Sequence, residues 1–205
     1  MRVLIFGKGD LSGAIKNKLR KYEVLEIAHS TVDVRDAENV ESAVIKHRPD
    51  WIINCAGISD KLAIEPMTVF DTNLFGTLNI IRAGIRNETP VITIGSVAGL
   101  YGRGDGAWYA ASKAGAISLV QSFANLGEKV YCVSPCRINT KMREYDHPGE
   151  DVRTRLHPDD VVNVIEQIMN GYYAPGANVI IRKVGFDRID VFEDLPSWKS
   201  SPSMI

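Results

Sequence analysis

At 205 residues the chain is expected to form one domain spanning 1–205, because a chain of this length can bury about 70% of its unfolded surface in a single core. Hydrophobic residues make up 45% and charged residues 24%, which excludes a disordered or fibrous protein, and a net charge of -1 provides no global attraction to nucleic acid or an anionic membrane. No run approaches the roughly 18 apolar residues of a membrane span, and Cys55, Cys132 and Cys136 lack zinc-ligand spacing and are too few for a disulfide scaffold, so a reducing cytoplasm is the expected setting.

In chain order, Val3-Leu4-Ile5-Phe6 reads as a buried strand, too short for a signal-peptide core, and runs into Gly7-Lys8-Gly9-Asp10-Leu11-Ser12-Gly13. A glycine-rich turn between a strand and a helix over about 12–21 suits a pyrophosphate held by helix N–H groups, although glycines also mark ordinary turns. A second strand near 23–28 ends at Ala28-His29-Ser30. A carboxylate at that tip would accept from the ribose 2′-OH of NAD; its absence, with Lys8 in the turn as a phosphate partner, favours NADP(H) over NAD(H). His29 also reads as an ordinary surface histidine.

Asp36 is a plausible N-cap for a helix to about His47, and Pro49 precedes the strand Trp51-Ile52-Ile53. Glu65-Pro66 opens a helix to about Ile85, followed by the strand Val91–Ile94 and then Gly95-Ser96. Ser96, at the C-terminal end of a parallel strand, faces the crevice where such sheets bind ligands, where it would orient a substrate oxygen; a turn serine is the plainer alternative. A helix over about 108–125 places Tyr109 and Lys113, four residues apart, on one face. Tyrosine ordinarily titrates near pH ~10, and a neighbouring ammonium stabilises its phenolate, so the pair suits acid/base work.

The strand Val130–Val133 follows, then a polar stretch, 139–157, expected as a loop over the site. A last helix over 158–170 ends at Gly171, and Asn178–Ile181 reads as the final strand before a tail from Phe186. The whole reads as an α/β, Rossmann-like doubly wound parallel sheet in three layers.

Ser96 and the Tyr109-x-x-x-Lys113 spacing resemble the short-chain dehydrogenases/reductases, and the resemblance covers about 1–181. Asn73 in Asn-Leu-Phe-Gly matches the family's helix asparagine. Asn54-Cys55-Ala56-Gly57 is similar to its segment after the fourth strand, and Ser134-Pro135-Cys136-Arg137-Ile138-Asn139-Thr140 to the segment beside the nicotinamide. The resemblance implies Tyr109 as acid/base, Lys113 on the nicotinamide ribose, Ser96 on the reacting oxygen and Asn73 positioning a water in a proton relay. It also implies cofactor contacts at Gly7, Lys8, Gly9, Leu11, Gly13, His29, Ser30, Asp33, Val34, Asn54, Ala56, Gly57, Pro135, Ile138 and Thr140.

Three features depart from the family pattern. Asp33-Val34-Arg35-Asp36, similar to an adenine-contacting segment, follows the second strand so soon that a helix is expected to be missing. Residues 33–83 resemble dTDP-4-dehydrorhamnose reductases and other extended relatives, whereas 91–140 resemble the shorter carbonyl-reducing members. Asp10 and Leu11 stand at the middle-glycine positions of the turn, and Cys136 replaces a glycine beside the nicotinamide. The function expected is hydride transfer between NAD(P)(H) and a small carbonyl or alcohol. A nucleotide-sugar reductase or epimerase and a non-catalytic cofactor-binding regulatory module are the alternatives. Arg103, Arg137, Lys141 and Arg143 read as solvated surface charge or as hints of an anionic substrate. Apolar Phe70, Leu74, Phe123 and Leu126 suggest a homodimer or homotetramer through helices 66–85 and 108–125.

Overall fold

A computed structural model describes residues 1–62, 65–102 and 104–194. Seven strands form one sheet in the order β2-β1-β3-β4-β5-β6-β7. They are β1 (Arg2–Phe6), β2 (Glu23–Ile27), β3 (Trp51–Asn54), β4 (Val91–Ile94), β5 (Val130–Pro135), β6 (Asn178–Val184) and β7 (Arg188–Asp194). The first six run parallel, and β7 pairs antiparallel with β6.

Continuous apolar runs such as Val3–Phe6 and Ile52–Ile53 are buried because helices cover both faces of the sheet. On one face α1 (Asp10–Lys18) and α7 (Pro158–Met169) enclose a cluster that includes Ile15, Val161, Ile165 and Val179. On the other, α2 (Ala37–His47), α4 (Gly76–Arg86) and α5 (Ala107–Asn125) enclose Val40, Ile80, Ile117 and Cys132. Each fully buried large aliphatic contributes about 1.5–3 kcal/mol relative to exposure.

Local chemistry sets the helix boundaries. The Asp36 carboxylate accepts from the N–H groups of Glu38 and Asn39 at 3.0 and 3.1 Å, capping α2 as its sequence implies. Gly127 and Gly171 lie just beyond α5 and α7 in the left-handed region, with φ of 93° and 81°. The expected helix from Pro66 is three pieces: α3 (Pro66–Phe70), a π-helical turn (Asp71–Phe75) and α4.

Between β2 and α2 the chain has no helix, and the comparison with a 3-2-1-4-5-6 sheet shows that an outer strand is lacking too. The two ends of the shortened connection are joined directly. The Asn79 side-chain amide donates to the carbonyls of Val34 and Arg35 at 3.0 and 3.2 Å, and Gly76 leaves room for Val34, whose Cγ2 would sit 2.6 Å from an added Cβ.

Two expectations are corrected. Residues 139–157 are not an irregular loop: Thr140 caps a short helix, α6 (Lys141–Asp146), and Asp151 caps a 3-10 turn (Val152–Thr154). Nor is Asn178–Ile181 the last strand, because Gly185, with φ 65°, turns the chain back into β7. Residues 195–205 of the tail lie outside the described residues.

Candidate active site

The glycine turn, the loop after β3, Ser96, the start of α5 and the segment after β5 all open onto a cavity of about 880 Å³. This is the C-terminal edge of the parallel strands, where open α/β sheets bind ligands. Gly7 makes the turn possible: its φ is +103°, and an added Cβ would lie 2.9 Å from both the Ala56 nitrogen and the Cys55 carbonyl carbon. Nothing stands within 4 Å of a Cβ at Gly9, so the cradle beside the N-terminus of α1 is open. First-turn N–H groups of Asp10, Leu11 and Ser12 lack intrahelical acceptors, and these residues line the cavity. An open turn, a helix N-terminus and a long cavity fit a dinucleotide. Beneath the turn, Ser12 Oγ accepts from the Gly9 N–H at 2.8 Å, and its single proton is shared between Gly9 O at 3.0 Å and Glu26 Oε1 at 2.9 Å.

Tyr109 and Lys113 lie one turn apart on α5 and both face the cavity. Lys113 is only 5% exposed; its Nζ donates to the Ile94 carbonyl at 2.8 Å and lies 5.8 Å from the centre of the Tyr109 ring. Ser96 lines the same cavity, and its Oγ accepts from the Ala98 N–H at 3.1 Å. A hydroxyl that accepts there still carries a proton to donate. The Tyr109 N–H, one of the orphan donors of α5, is capped by Asp60 Oδ1 at 2.6 Å.

Asn73 sits in the π-helical turn and is fully buried. Its amide accepts from the Ile58 N–H at 2.9 Å and donates to the Ile58 carbonyl at 2.9 Å and to Ser112 Oγ at 3.1 Å. Ser112 in turn donates to the Tyr109 carbonyl at 2.8 Å, so Asn73 ties the loop after β3 to the backbone of α5. A Cβ on Gly57 would lie 3.3 Å from Asn73 Oδ1 and 3.5 Å from Lys113 Nζ, which places the asparagine beside the lysine. Asn73→Ala strands both polar groups of Ile58 and should cost roughly 2 kcal/mol, read as a lower urea midpoint.

The segment 139–157 closes one side of the cavity. The Lys141 N–H donates to Asp10 Oδ2 at 2.5 Å, and Ser59 Oγ donates to Asp146 Oδ1 at 2.8 Å. Arg155, whose side chain is 1% exposed, anchors the segment through Glu144 at 2.7 Å and Glu150 at 3.0 Å. Glu150 also pairs with Arg143 at 2.5 Å and Arg137 at 3.8 Å. The Arg143 hydrogen bond chiefly holds its carboxyl down at about 2, against an ordinary 4.5. A depressed folded value means stabilisation that is complete above pH 4.5 and fades as pH falls toward 2. Hydrogen exchange over 141–156 should therefore accelerate across that window in the native protein. In Glu150→Gln the segment should already exchange faster at pH 7, with the acid-dependent step lost.

The sequence-derived site residues fall into three groups. Lys8, Gly9, Leu11, Gly57, Ser96, Tyr109, Lys113, Pro135, Ile138 and Thr140 line the cavity. Gly7, Asn54, Ala56 and Asn73 shape it from behind: Asn54 accepts from the Ala56 N–H at 3.0 Å and donates to Thr77 Oγ1 at 2.9 Å. Gly13, His29, Ser30, Asp33 and Val34 are not in its lining. Val34 is 4% exposed beneath α4, so its side chain is core.

The tip of β2 also differs from its sequence-level reading. Asp33 folds back to within 3.7 Å of His29 and is paired with Arg35, whose hydrogen bond holds its carboxyl below the ordinary range. A carboxylate is therefore present at the tip, and a guanidinium offsets it. Arg35 falls in the segment likened to an adenine contact, whereas Asp60 and Arg182 were not singled out in the sequence. Nothing in sequence spacing joins Asp60 to Tyr109, 49 residues further along the chain. Among the flanking cations, Arg137 and Arg143 are paired with Glu150, and Arg103 lies outside the described residues.

Other chemistries find little support in the side chains. Burial pushes the thiols of Cys55 and Cys132 up to about 12 and about 11, away from thiolate chemistry, and Cys136 Sγ accepts from the Lys183 N–H at 3.3 Å. Among the described residues no group of three or more His, Cys, Asp or Glu could hold a metal ion. No described helix is long and apolar enough to cross a membrane.

A family model described as short chain dehydrogenase matches residues 2–151. The 3-oxoacyl-[acyl-carrier-protein] reductase FabG of Escherichia coli is 31% identical over 175 residues, covering 76% of this chain and 67% of that enzyme. A short chain dehydrogenase from Burkholderia cenocepacia, solved with NADP, superposes with a TM-score of 0.69 at 20% identity over 84% of this chain and 85% of that one. The dTDP-4-dehydrorhamnose reductase of Bacillus anthracis, also in complex with NADP, gives 0.70 at 16% identity over 90% and 75%. Family match and relative agree with the cavity's contents: the chain belongs to the short-chain dehydrogenase family of NAD(P)-dependent oxidoreductases.

Proposed function

We propose that this protein reduces a small carbonyl, or oxidises the corresponding alcohol, with NADP(H) as the hydride partner. One observation carries the reading: Ser96, Tyr109 and Lys113 share one cavity with an open glycine turn. The turn and the N–H groups of α1 would hold the pyrophosphate, with Lys8 as an added phosphate contact. Pro135, Ile138 and Thr140 would border the nicotinamide. Lys113 would bind its ribose.

A nicotinamide held there would supply, or in the reverse direction accept, the hydride exchanged with the carbonyl carbon. Ser96 donates a hydrogen bond to the reacting oxygen, and Tyr109 passes its phenolic proton to that oxygen in reduction. The buried Lys113 ammonium stabilises the negative charge left on the tyrosine. Asn73 acts by positioning, since its amide is engaged by Ile58 and Ser112. Asp60 fixes the start of α5, and with it Tyr109.

NADP(H) is preferred over NAD(H) because Arg35 balances Asp33 at the β2 tip and Lys8 carries no acidic partner among the described residues. The NADP-bound neighbours point the same way. Similarity to FabG supports a carbonyl substrate, whereas the fold shared with a dTDP-4-dehydrorhamnose reductase supports a nucleotide sugar as the second reading.

One domain, a cytoplasmic setting and a homo-oligomer complete the proposal. Phe70 packs edge-on against Trp108 at 6.2 Å, while Met67, Phe75, Trp108 and Leu126 stay largely exposed on the helices expected to pair. Sedimentation equilibrium showing only monomer would remove that pairing. The enzymatic reading is tested by following NADPH oxidation over a panel of aldehydes and ketones. Turnover that depends on Tyr109 supports it; no turnover with any of them, despite bound NADPH, favours the non-catalytic module.

A further inference from the structure

Beyond the proton-transfer residues, the cavity has a marked charge bias. Among the described residues eight lysines and arginines line it against four aspartates. Three of those carboxylates have partners: Asp10 holds the Lys141 N–H, Asp60 the Tyr109 N–H and Asp146 the Ser59 hydroxyl. Asp105 is partnered as well. Arg182 and Lys183, neighbours on β6, have no acidic partner among the described residues. The carboxylate directly across from Arg182, that of Asp190, is taken by Arg188 at 2.9 Å.

The direction of Arg182 follows from strand geometry. Val179 and Ile181 lie in the cluster covered by α1 and α7, so alternation sends Arg182 to the opposite face, the one that carries α5. There its guanidinium lies 5.2 Å from the ring centres of both Tyr101 and Phe192 and donates to the Tyr101 hydroxyl. Two aromatic contacts restrict a long side chain that otherwise loses rotamer freedom on binding. The remaining guanidinium N–H groups are left to form the parallel pair of hydrogen bonds that a carboxylate or phosphate accepts.

We propose that Arg182 is the anion-recognition residue of this cavity, and that the substrate is a carbonyl compound bearing a carboxylate or phosphate group. The substrate part of this inference rests on the reductase reading; the anion site itself does not. Tyr101 and Phe192 serve as positioning residues for the guanidinium. Recognition by Arg182 differs from the earlier hints at Arg137 and Arg143, whose charges Glu150 already satisfies.

The test uses the full-length protein and two ligands of equal shape, benzoate and neutral benzamide, followed by saturation-transfer NMR. The wild type should bind benzoate about tenfold more tightly than benzamide. Arg182→Gln should bring the two within twofold, and Arg182→Lys, which keeps the charge but not the fork, should fall between. Benzyl phosphate in place of benzoate separates a phosphate preference from a carboxylate one. Equal affinity in the wild type, undetectable binding of any of them at tens of millimolar, or an undiminished preference in Arg182→Gln would overturn the proposal. NADPH is titrated into the same samples. Loss of NADPH binding with the benzoate preference intact would bring down the reductase reading alone and leave the anion site standing.

Discussion

Replacing Tyr109 by phenylalanine should lower kcat by roughly 10²–10⁴-fold while leaving NADPH affinity within a factor of two. The substitution removes only the phenolic hydroxyl. The Tyr109 N–H still meets Asp60, its carbonyl still accepts from Ser112, and the ring still lies against the Lys113 ammonium. Steady-state NADPH oxidation with the best carbonyl substrate, beside a fluorescence titration of cofactor, separates the two quantities. A variant that keeps kcat would remove Tyr109 from the chemistry; one that loses both would make it a structural residue.

Gly7→Ala should have the largest effect on stability. At φ +103° an alanine is strained, and its Cβ would press within 2.9 Å of the backbone at Cys55 and Ala56. Backbone on both sides has little room to yield, since the Gly7 N–H is bonded to Ile27 and the Cys55 N–H to Phe6, both at 2.9 Å. A loss of about 3 kcal/mol or more is expected, together with weakened cofactor binding because the turn is forced open. Urea unfolding measures the first and NADPH fluorescence the second. Gly9→Ala is the control: its φ of -158° suits any residue and nothing stands near an added Cβ, so stability should hardly change.

Much of this architecture could be read from the chain because local signals and burial agreed. Val3–Phe6 and Trp51–Ile53 are apolar throughout, and Val91–Ile94 is apolar but for Thr93, as suits strands covered on both faces, and each forms as expected. Asp36, Pro158, Gly127 and Gly171 mark helix boundaries through capping and φ preferences that depend on few neighbours. β7 was harder to see: Ile189 and Val191 alternate, but charged Arg188, Asp190, Glu193 and Asp194 suit an exposed edge as well as a loop. The helix in 139–157 was hidden for another reason. It is short, none of its residues is buried, and its surroundings are held by Arg155 and Glu150, an ion pair that sequence spacing does not announce.

For the candidate site, the placement of Tyr109 and Lys113 on one side of α5 was readable because helical spacing fixes which residues share a face. Ser96 was readable because a strand end fixes where it opens. Arg182 was not, because its place depends on Tyr101 from one loop and Phe192 from a strand that the sequence did not reveal. The NADP(H) preference illustrates the same limit. The end of β2 lacks a carboxylate in sequence, yet Asp33 and Arg35 return to it through the turn held by Asn79.

The most direct test of the central claim, that this cavity is a nicotinamide cofactor site, is a fluorescence titration of the protein with NADPH and NADH, beside Gly9→Asp. That substitution adds a carboxylate to the open cradle where the pyrophosphate is proposed to sit, on backbone that accepts a side chain without strain. Saturable binding, tighter for NADPH and lost in Gly9→Asp, is the predicted result. Absence of saturable binding for either cofactor at millimolar concentration, or binding that Gly9→Asp leaves unchanged, would contradict it.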